Sequence, residues 1–383
     1  MDNVTPVIIY VPGLGRDDAN TADGVAEVLA RAIDRRDHPR TCSTKSDSTV
    51  SAPRGLKVAK TIVDDEDRVL VQLFELDYAS RLDKPTGAAG PPASPGIVSS
   101  TKYTVFGALM LAWAWKRPAK TFRTKFQLWL GFVALLALIL AWLVALYAAL
   151  ISAGLDLPKP IGGLFGEDAA GWTFGISGTA AVVTWAAFRK KALALAATIQ
   201  HLVDYTRNSE RIRDTVCLTV DDAIAGLLDD GWKGDIHLLG YSFGSLMLYD
   251  AAFPHVNSQK RAEPFDKVAS LVTVGCPIDL VRLFYKDYTE GRQPRKVELT
   301  WKNIYNAADV FGSNLQDKDD LENGTSTAVG LTAFAPESIR YLDEELTFGQ
   351  LFMARGFRTH AGYWGTTGDA HCFEKVLNLW VPV

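Results

Sequence analysis

The chain opens on an uninterrupted apolar run, Val7-Ile8-Ile9-Tyr10-Val11, then turns through Pro12-Gly13-Leu14-Gly15-Arg16 into a segment with Val25, Val28, Leu29 and Ile33 on one helical face. That pattern predicts a buried strand, a glycine loop and a helix over residues 21–35. Residues 41–55 are polar and predict a loop. Residues 56–63 and 69–76 predict two strands about the acidic turn Asp64-Asp65-Glu66-Asp67, and 84–100, rich in Pro, Gly, Ala and Ser, predicts a flexible linker. Further on, 192–205 and 209–228 carry helical periodicity, the latter through Ile212, Val216, Val220, Ile224 and Leu227. Strands are expected at 236–239, 269–274 and 299–305, a long polar loop at 312–338 and a last helix at 370–379. Strands alternating with helices predict an α/β fold, a mostly parallel sheet flanked by helices whose working edge holds the C-terminal strand ends.

Two apolar runs interrupt this alternation. Residues 126–153 contain no charged side chain, and their length exceeds the ~20 residues that cross a bilayer as a helix. A second uncharged run, 169–188, is about the minimum length and carries Gly171, Gly175, Ser177, Gly178 and Thr179, small residues suited to packing against a partner helix. Lys116, Arg117, Lys120, Arg123 and Lys125 precede the first run and Arg189-Lys190-Lys191 follow the second, while the loop between them holds Asp156, Lys159, Glu167 and Asp168. The positive-inside rule then predicts a two-helix transmembrane hairpin with both flanks cytoplasmic. The alternative is a single span at 126–153 with 169–188 as a buried core helix, which would divide the two halves of the sheet between opposite sides of the bilayer. The expected organisation is an N-terminal part of the α/β domain at 1–100, a membrane insertion at 101–191 and a C-terminal part at 192–383. This is the arrangement of an integral protein of a bacterial inner membrane with its α/β domain on the cytoplasmic side. The shorter apolar stretch 105–115 suits an amphipathic core helix or a surface helix.

Composition narrows the partners. A net charge of −4 with 22% charged residues gives no basic field for nucleic acid. Cys42, Cys217, Cys276 and Cys372 are scattered, with no CxxC pair and no Cys/His spacing suited to zinc, so free buried thiols in a reducing compartment are expected, and no cofactor is expected.

The densest chemistry lies in Gly240-Tyr241-Ser242-Phe243-Gly244, between the strand at 236–239 and a helix-forming segment. A serine on so sharp a strand-to-helix turn has its hydroxyl lifted clear of the sheet. A hydroxyl is a poor nucleophile until a base takes its proton, and the base needs an acid to hold its tautomer. Asp309 follows the strand ending at Tyr305, and His360 lies in a loop ahead of the last helix. Asp279, after Gly275-Cys276-Pro277, is the rival acid and His371 the rival base. His237 sits in the strand feeding the turn and is expected to be structural, and His38, His201 and His255 have no catalytic context. The backbone N–H of Phe243 is the first candidate oxyanion donor and that of Leu14 the second. A dinucleotide fingerprint is excluded, since Asp18 stands where the last glycine of GxGxxG belongs.

On these motifs, together with Asn303-Ile304-Tyr305-Asn306-Ala307-Ala308-Asp309 and His360-Ala361-Gly362-Tyr363-Trp364, the soluble parts of the chain resemble the α/β-hydrolase superfamily, and within it lipase- and esterase-like serine hydrolases. The resemblance implies a Ser242, His360 and Asp309 triad, an acyl-enzyme intermediate and no metal. Val11-Pro12 replaces the histidine often found before the oxyanion glycine, and Tyr241 and Phe243 flank the serine in place of the more usual His and Leu, which leaves the subfamily open. The expected function is a membrane-anchored hydrolase of a lipid or acyl ester. The alternatives are a catalytically silent scaffold organising a membrane complex and a membrane-damaging lipase effector or defence protein.

Overall fold

A computed structural model of the protein describes residues 5–13, 21–36, 41–46, 53–78, 126, 129, 133, 136, 205, 209–255, 262–296, 298–306, 308–309, 311–315, 336–341, 347, 359–360, 362–364 and 372–381. The chain divides into two compact units. One comprises Met1–Pro91, Lys116–Gln127 and Leu202–Val383, the other Pro92–Trp115 and Leu128–His201. In the second unit Trp129, Val133 and Leu136 are the described residues, all helical and exposed.

The first unit holds one eight-stranded sheet. Its strands are β1 (Val7–Val11), β2 (Ser43–Ser46), β3 (Leu56–Val63), β4 (Val69–Leu76), β5 (Ile236–Tyr241), β6 (Val268–Val274), β7 (Thr300–Tyr305) and β8 (Glu337–Arg340), in the spatial order β2-β3-β4-β1-β5-β6-β7-β8. Strand β3 runs against both its neighbours and every other pairing is parallel. The first strand therefore lies in the middle of the sheet, with Ile9 opposite Phe74 on one side and Leu238 on the other. An all-apolar sequence is what such a position demands, because both faces of a central parallel strand are covered.

Alternation along β1 sends Val7, Ile9 and Val11 into one core and Ile8 and Tyr10 into the other. The first core is closed by α2 (Ser209–Asp229), through Val216, Val220, Ile224 and Leu227, and by α3 (Phe243–Ala252), all of whose residues are buried. The second is closed by α1 (Ala22–Arg36), through Val25, Leu29 and Ile33, and by the C-terminal Phe373, Leu377 and Trp380. At about 1.5–3 kcal/mol for each large apolar side chain removed from water, these two layers dominate the stability of the unit. The start of α1 is fixed by Thr21, whose Oγ1 accepts the Gly24 N–H at 3.3 Å. Arg35 and Arg36 stand in its last turn, where a cation suits the helix dipole, and Arg36 also donates to the Val381 carbonyl at 2.9 Å.

Three local departures from the sequence expectations have simple causes. Strand β2, Ser-Thr-Lys-Ser, lies in the stretch 41–55 expected as loop, and β8, Glu-Ser-Ile-Arg, overlaps the end of the expected loop 312–338. Both are sheet edges of four residues, half open to water, and so lack the apolar signature of an inner strand. The helix expected over 370–379 is shorter and divided. A 3-10 turn at Cys372–Lys375 is separated from the final helix at Leu377–Trp380 by Val376, whose ψ is 0°.

The membrane expectation is corrected. Among the described residues no helix is long and apolar enough to cross a membrane, and this overturns the placement as a two-span protein of a bacterial inner membrane. The runs 126–153 and 169–188 lie outside the described residues, apart from Phe126, Trp129, Val133 and Leu136. Apolar composition gives only the potential to span; a span also needs a continuous uncharged helix of ~20 residues. Helix α2 has the length, at 21 residues, but carries Asp214, Asp221, Asp222 and Asp229.

Candidate active site

Strand β5 delivers Ser242 at its C-terminal end, immediately before α3, with φ 52° and ψ −119°. That is a strained backbone for a residue with a Cβ, and persists only where the surroundings over-determine it. Several contacts do so here. The Ser242 N–H donates to the Val274 carbonyl at 2.8 Å, and the Ser245 hydroxyl donates to the Gly240 carbonyl at 2.7 Å. The flanking glycines are dictated by space. A Cβ at 244 would lie 2.0 Å from the Val11 carbonyl oxygen, and one at 240 would lie 2.6 Å from the Ser245 Cα.

Ser242 Oγ lies 2.7 Å from His360 Nε2, and His360 Nδ1 lies 2.8 Å from Asp309 Oδ2. Three residues distant in sequence thus form one hydrogen-bonded line. With the Nδ1 proton directed at the carboxylate, Nε2 is left as acceptor for the serine proton. Asp309 is buried, which on its own raises a carboxyl pKa. The His360 charge and hydrogen bond, with the backbone N–H groups of Gly312 and Phe311, outweigh burial and hold it below the usual carboxylate range. The Phe311 N–H reaches Oδ1 at 2.8 Å.

Aromatic rings surround the imidazole. Tyr241 stacks on it with centroids 5.6 Å apart and donates its hydroxyl to the His360 carbonyl at 2.5 Å; Phe311 meets it edge-on at 5.1 Å. Tyr363 lies edge-on at 6.4 Å, donates its hydroxyl to Asp309 Oδ2 at 2.8 Å, and accepts the Asn306 N–H at 2.9 Å. Burial raises the Tyr363 phenol well above its ordinary pKa, and the Asp309 charge adds to this, so it remains a donor.

Of the two expected oxyanion donors, Phe243 is the first residue of α3, so its N–H has no acceptor within the helix. Leu14 lies outside the described residues. The loop it belongs to does reach the serine, since a Cβ at Gly13 would stand 2.9 Å from Ser242 Cβ. Tyr78, from the end of β4, donates to the carbonyls of Pro12 and Gly13, each at 3.2 Å.

Of the two rival residues, Asp279 is described and His371 is not. Asp279 sits in the helix Ile278–Phe284 with Arg282 3.9 Å away, and its backbone N–H donates to Ser313. His237 is buried against Ser270 Oγ at 2.8 Å, and burial depresses its pKa to about 4. His255 forms an isolated bridge with Arg292. His38, His201 and His371 lie outside the described residues. Among the described residues no group of His, Cys, Asp or Glu is arranged to hold a metal ion, and all four cysteines are free thiols. Tyr78, Tyr241, Asn306 and Tyr363 are members of the site that the sequence alone does not single out. Tyr241 precedes the serine, and Asn306 and Tyr363 stand three residues from the acid and the histidine, whereas nothing in the sequence marks Tyr78.

The arrangement is chemically able to move a proton from a hydroxyl to an imidazole beside a buried anion. No protein-family model, curated protein or solved structure matches the chain.

Proposed function

We propose that this chain is a serine hydrolase of the α/β-hydrolase type that cleaves a carboxylic ester, with an acyl lipid or other acyl ester as substrate. The observation that carries this reading is the line Ser242 Oγ, His360 Nε2, His360 Nδ1, Asp309 Oδ2, with both links shorter than 3 Å. His360 Nε2 takes the Ser242 proton as Oγ bonds to the ester carbonyl carbon. The carbonyl oxygen, now an anion, is met by the Phe243 N–H and, in this proposal, by that of Leu14. The Nε2 proton then passes to the leaving alkoxide as its C–O bond breaks, and an acyl-serine remains. Water loses a proton to Nε2 and adds to the acyl carbon. The serine leaves with that proton and the acid is released. Asp309 keeps the imidazole in the required tautomer and offsets its charge. The half-buried Phe311, edge-on to His360, suits an apolar group beside the reacting carbon.

The test is a fluorophosphonate probe together with p-nitrophenyl esters of increasing chain length, applied to the wild type and Ser242→Ala. Wild type is expected to be labelled and to turn over. Ser242→Ala is expected to stay unlabelled, with kcat lower on the order of 10⁴-fold or more. A folded wild type that neither labels nor hydrolyses any ester, beside a control esterase that does, would make the chain a catalytically silent scaffold instead.

A further inference from the structure

Tyr363 belongs to neither the proton relay nor the oxyanion donors, yet its hydroxyl meets the same carboxylate oxygen as His360. Asp309 Oδ2 takes two side-chain donors at 2.8 Å each, His360 Nδ1 and the Tyr363 hydroxyl, while Oδ1 takes the Phe311 N–H and the Gly312 N–H also bonds the carboxylate. A carboxylate oxygen has two lone pairs, and here both are engaged by side chains from one loop three residues apart. The phenol oxygen in turn accepts the Asn306 N–H, so a single hydroxyl ties the turn carrying the acid to the loop carrying the histidine. Any buried tyrosine needs one partner for its hydroxyl. This one has a partner on each side, and both belong to the acid turn.

The ring is held as firmly as the hydroxyl. Tyr363 is 1% exposed and stacks on Tyr341 with centroids 6.0 Å apart. Cβ atoms at Gly275 and Gly312 would fall 2.9 Å from its Cε2 and 3.1 Å from its hydroxyl oxygen. The seat therefore fits a tyrosine ring with glycines beneath it, and the hydroxyl has little freedom to point elsewhere.

We propose that Tyr363 is a positioning residue that fixes the plane of the Asp309 carboxylate and shares its charge, so that His360 Nδ1 meets an anion of set direction and moderated strength. The proposal rests on reading Ser242, His360 and Asp309 as a hydrolytic site. Two consequences follow from charge sharing. With the phenol donor removed, Oδ2 has one side-chain donor left and binds the Nδ1 proton more tightly. With a stronger phenol donor, it binds that proton less tightly.

Tyr363→Phe keeps the ring and removes the donor; site-specific 3-fluorotyrosine at 363 keeps the shape and donates more strongly. In Tyr363→Phe the His360 Nδ1–H proton resonance is expected to move downfield. The acidic limb of kcat/KM is expected to rise by about half a pH unit, and plateau kcat to fall about tenfold with KM within about twofold. The fluorotyrosine protein should move the resonance and the acidic limb the opposite way. If Tyr363→Phe fails to fold, the isosteric fluorotyrosine protein decides alone. An unmoved resonance and limb in the folded variants would make Tyr363 an ordinary core tyrosine and overturn the proposal. The proton resonance needs no turnover, so it reads Tyr363 even if fluorophosphonate fails to label the wild type. That separate result would count against the hydrolase reading and not against the geometry of the tyrosine.

Discussion

Two histidines, one half-buried and one buried, differ in what surrounds the ring. His360 is bracketed by a hydroxyl and a carboxylate, whereas His237 meets the Ser270 hydroxyl across the sheet, feels Asp235 nearby and is 3% exposed. Burial lowers the folded-state pKa of His237 to about 4 from 6.5. Below pH 6.5 the unfolded chain gains a proton that the folded chain refuses. The associated stability is therefore complete above pH 6.5 and declines as pH falls toward 4, by about 3 kcal/mol in total. Chemical denaturation of the wild type and His237→Gln between pH 7.5 and 4 is expected to show this decline in the wild type and a shallower one in the variant. Equal slopes would show that the imidazole is hydrated or protonated in the native state.

At the scale of elements, the nucleophile helix α3 is held from behind by a buried ionic cluster. Asp250, near its end, pairs with Arg292 and accepts the hydroxyls of Tyr205 at 2.5 Å and Tyr288 at 2.6 Å. The Arg292 guanidinium lies over the Tyr249 and Tyr288 rings, and Tyr205 meets the Phe243 ring edge-on at 4.9 Å. Asp250→Ala would leave a buried guanidinium without its counter-ion, so an unfolding free energy lower by about 3–5 kcal/mol is expected. A loss under 1 kcal/mol in equilibrium denaturation would mean that water enters the cluster freely. None of this cluster was legible in the sequence, because its members lie in different elements and each looks like a surface or core residue alone. The inner strands were legible, β3 and β4 to the residue, because burial on both faces or strict alternation leaves a local mark. The edge strands β2 and β8 leave none. The site divides the same way. Ser242 announces itself through the steric needs of Gly240 and Gly244 and Asp309 through its place after a strand, but the convergence of Tyr78, Asn306 and Tyr363 on their partners is set by tertiary structure.

For the molecule as a whole, thiol chemistry gives a test of the two-layer core. Cys217, Cys276 and Cys372 are buried, and burial raises all three thiols, Cys217 to about 12, while Cys42 is only partly covered. Since the thiolate is the reacting species, iodoacetamide at pH 8 is expected to add once to the native protein, at Cys42, and four times after denaturation. More than one adduct on the native protein within the time that saturates Cys42 would show that one of the layers opens readily.

The central position of β1 also bears on how the protein is made. The strand leaves the ribosome before the other strands of its sheet, yet one of its two neighbours, β5, follows by roughly 230 residues, or about 10 to 45 s of translation at ordinary rates of elongation. For that interval the apolar Val-Ile-Ile-Tyr-Val lacks the strand that covers one of its edges, and an uncovered apolar edge is the kind that favours aggregation.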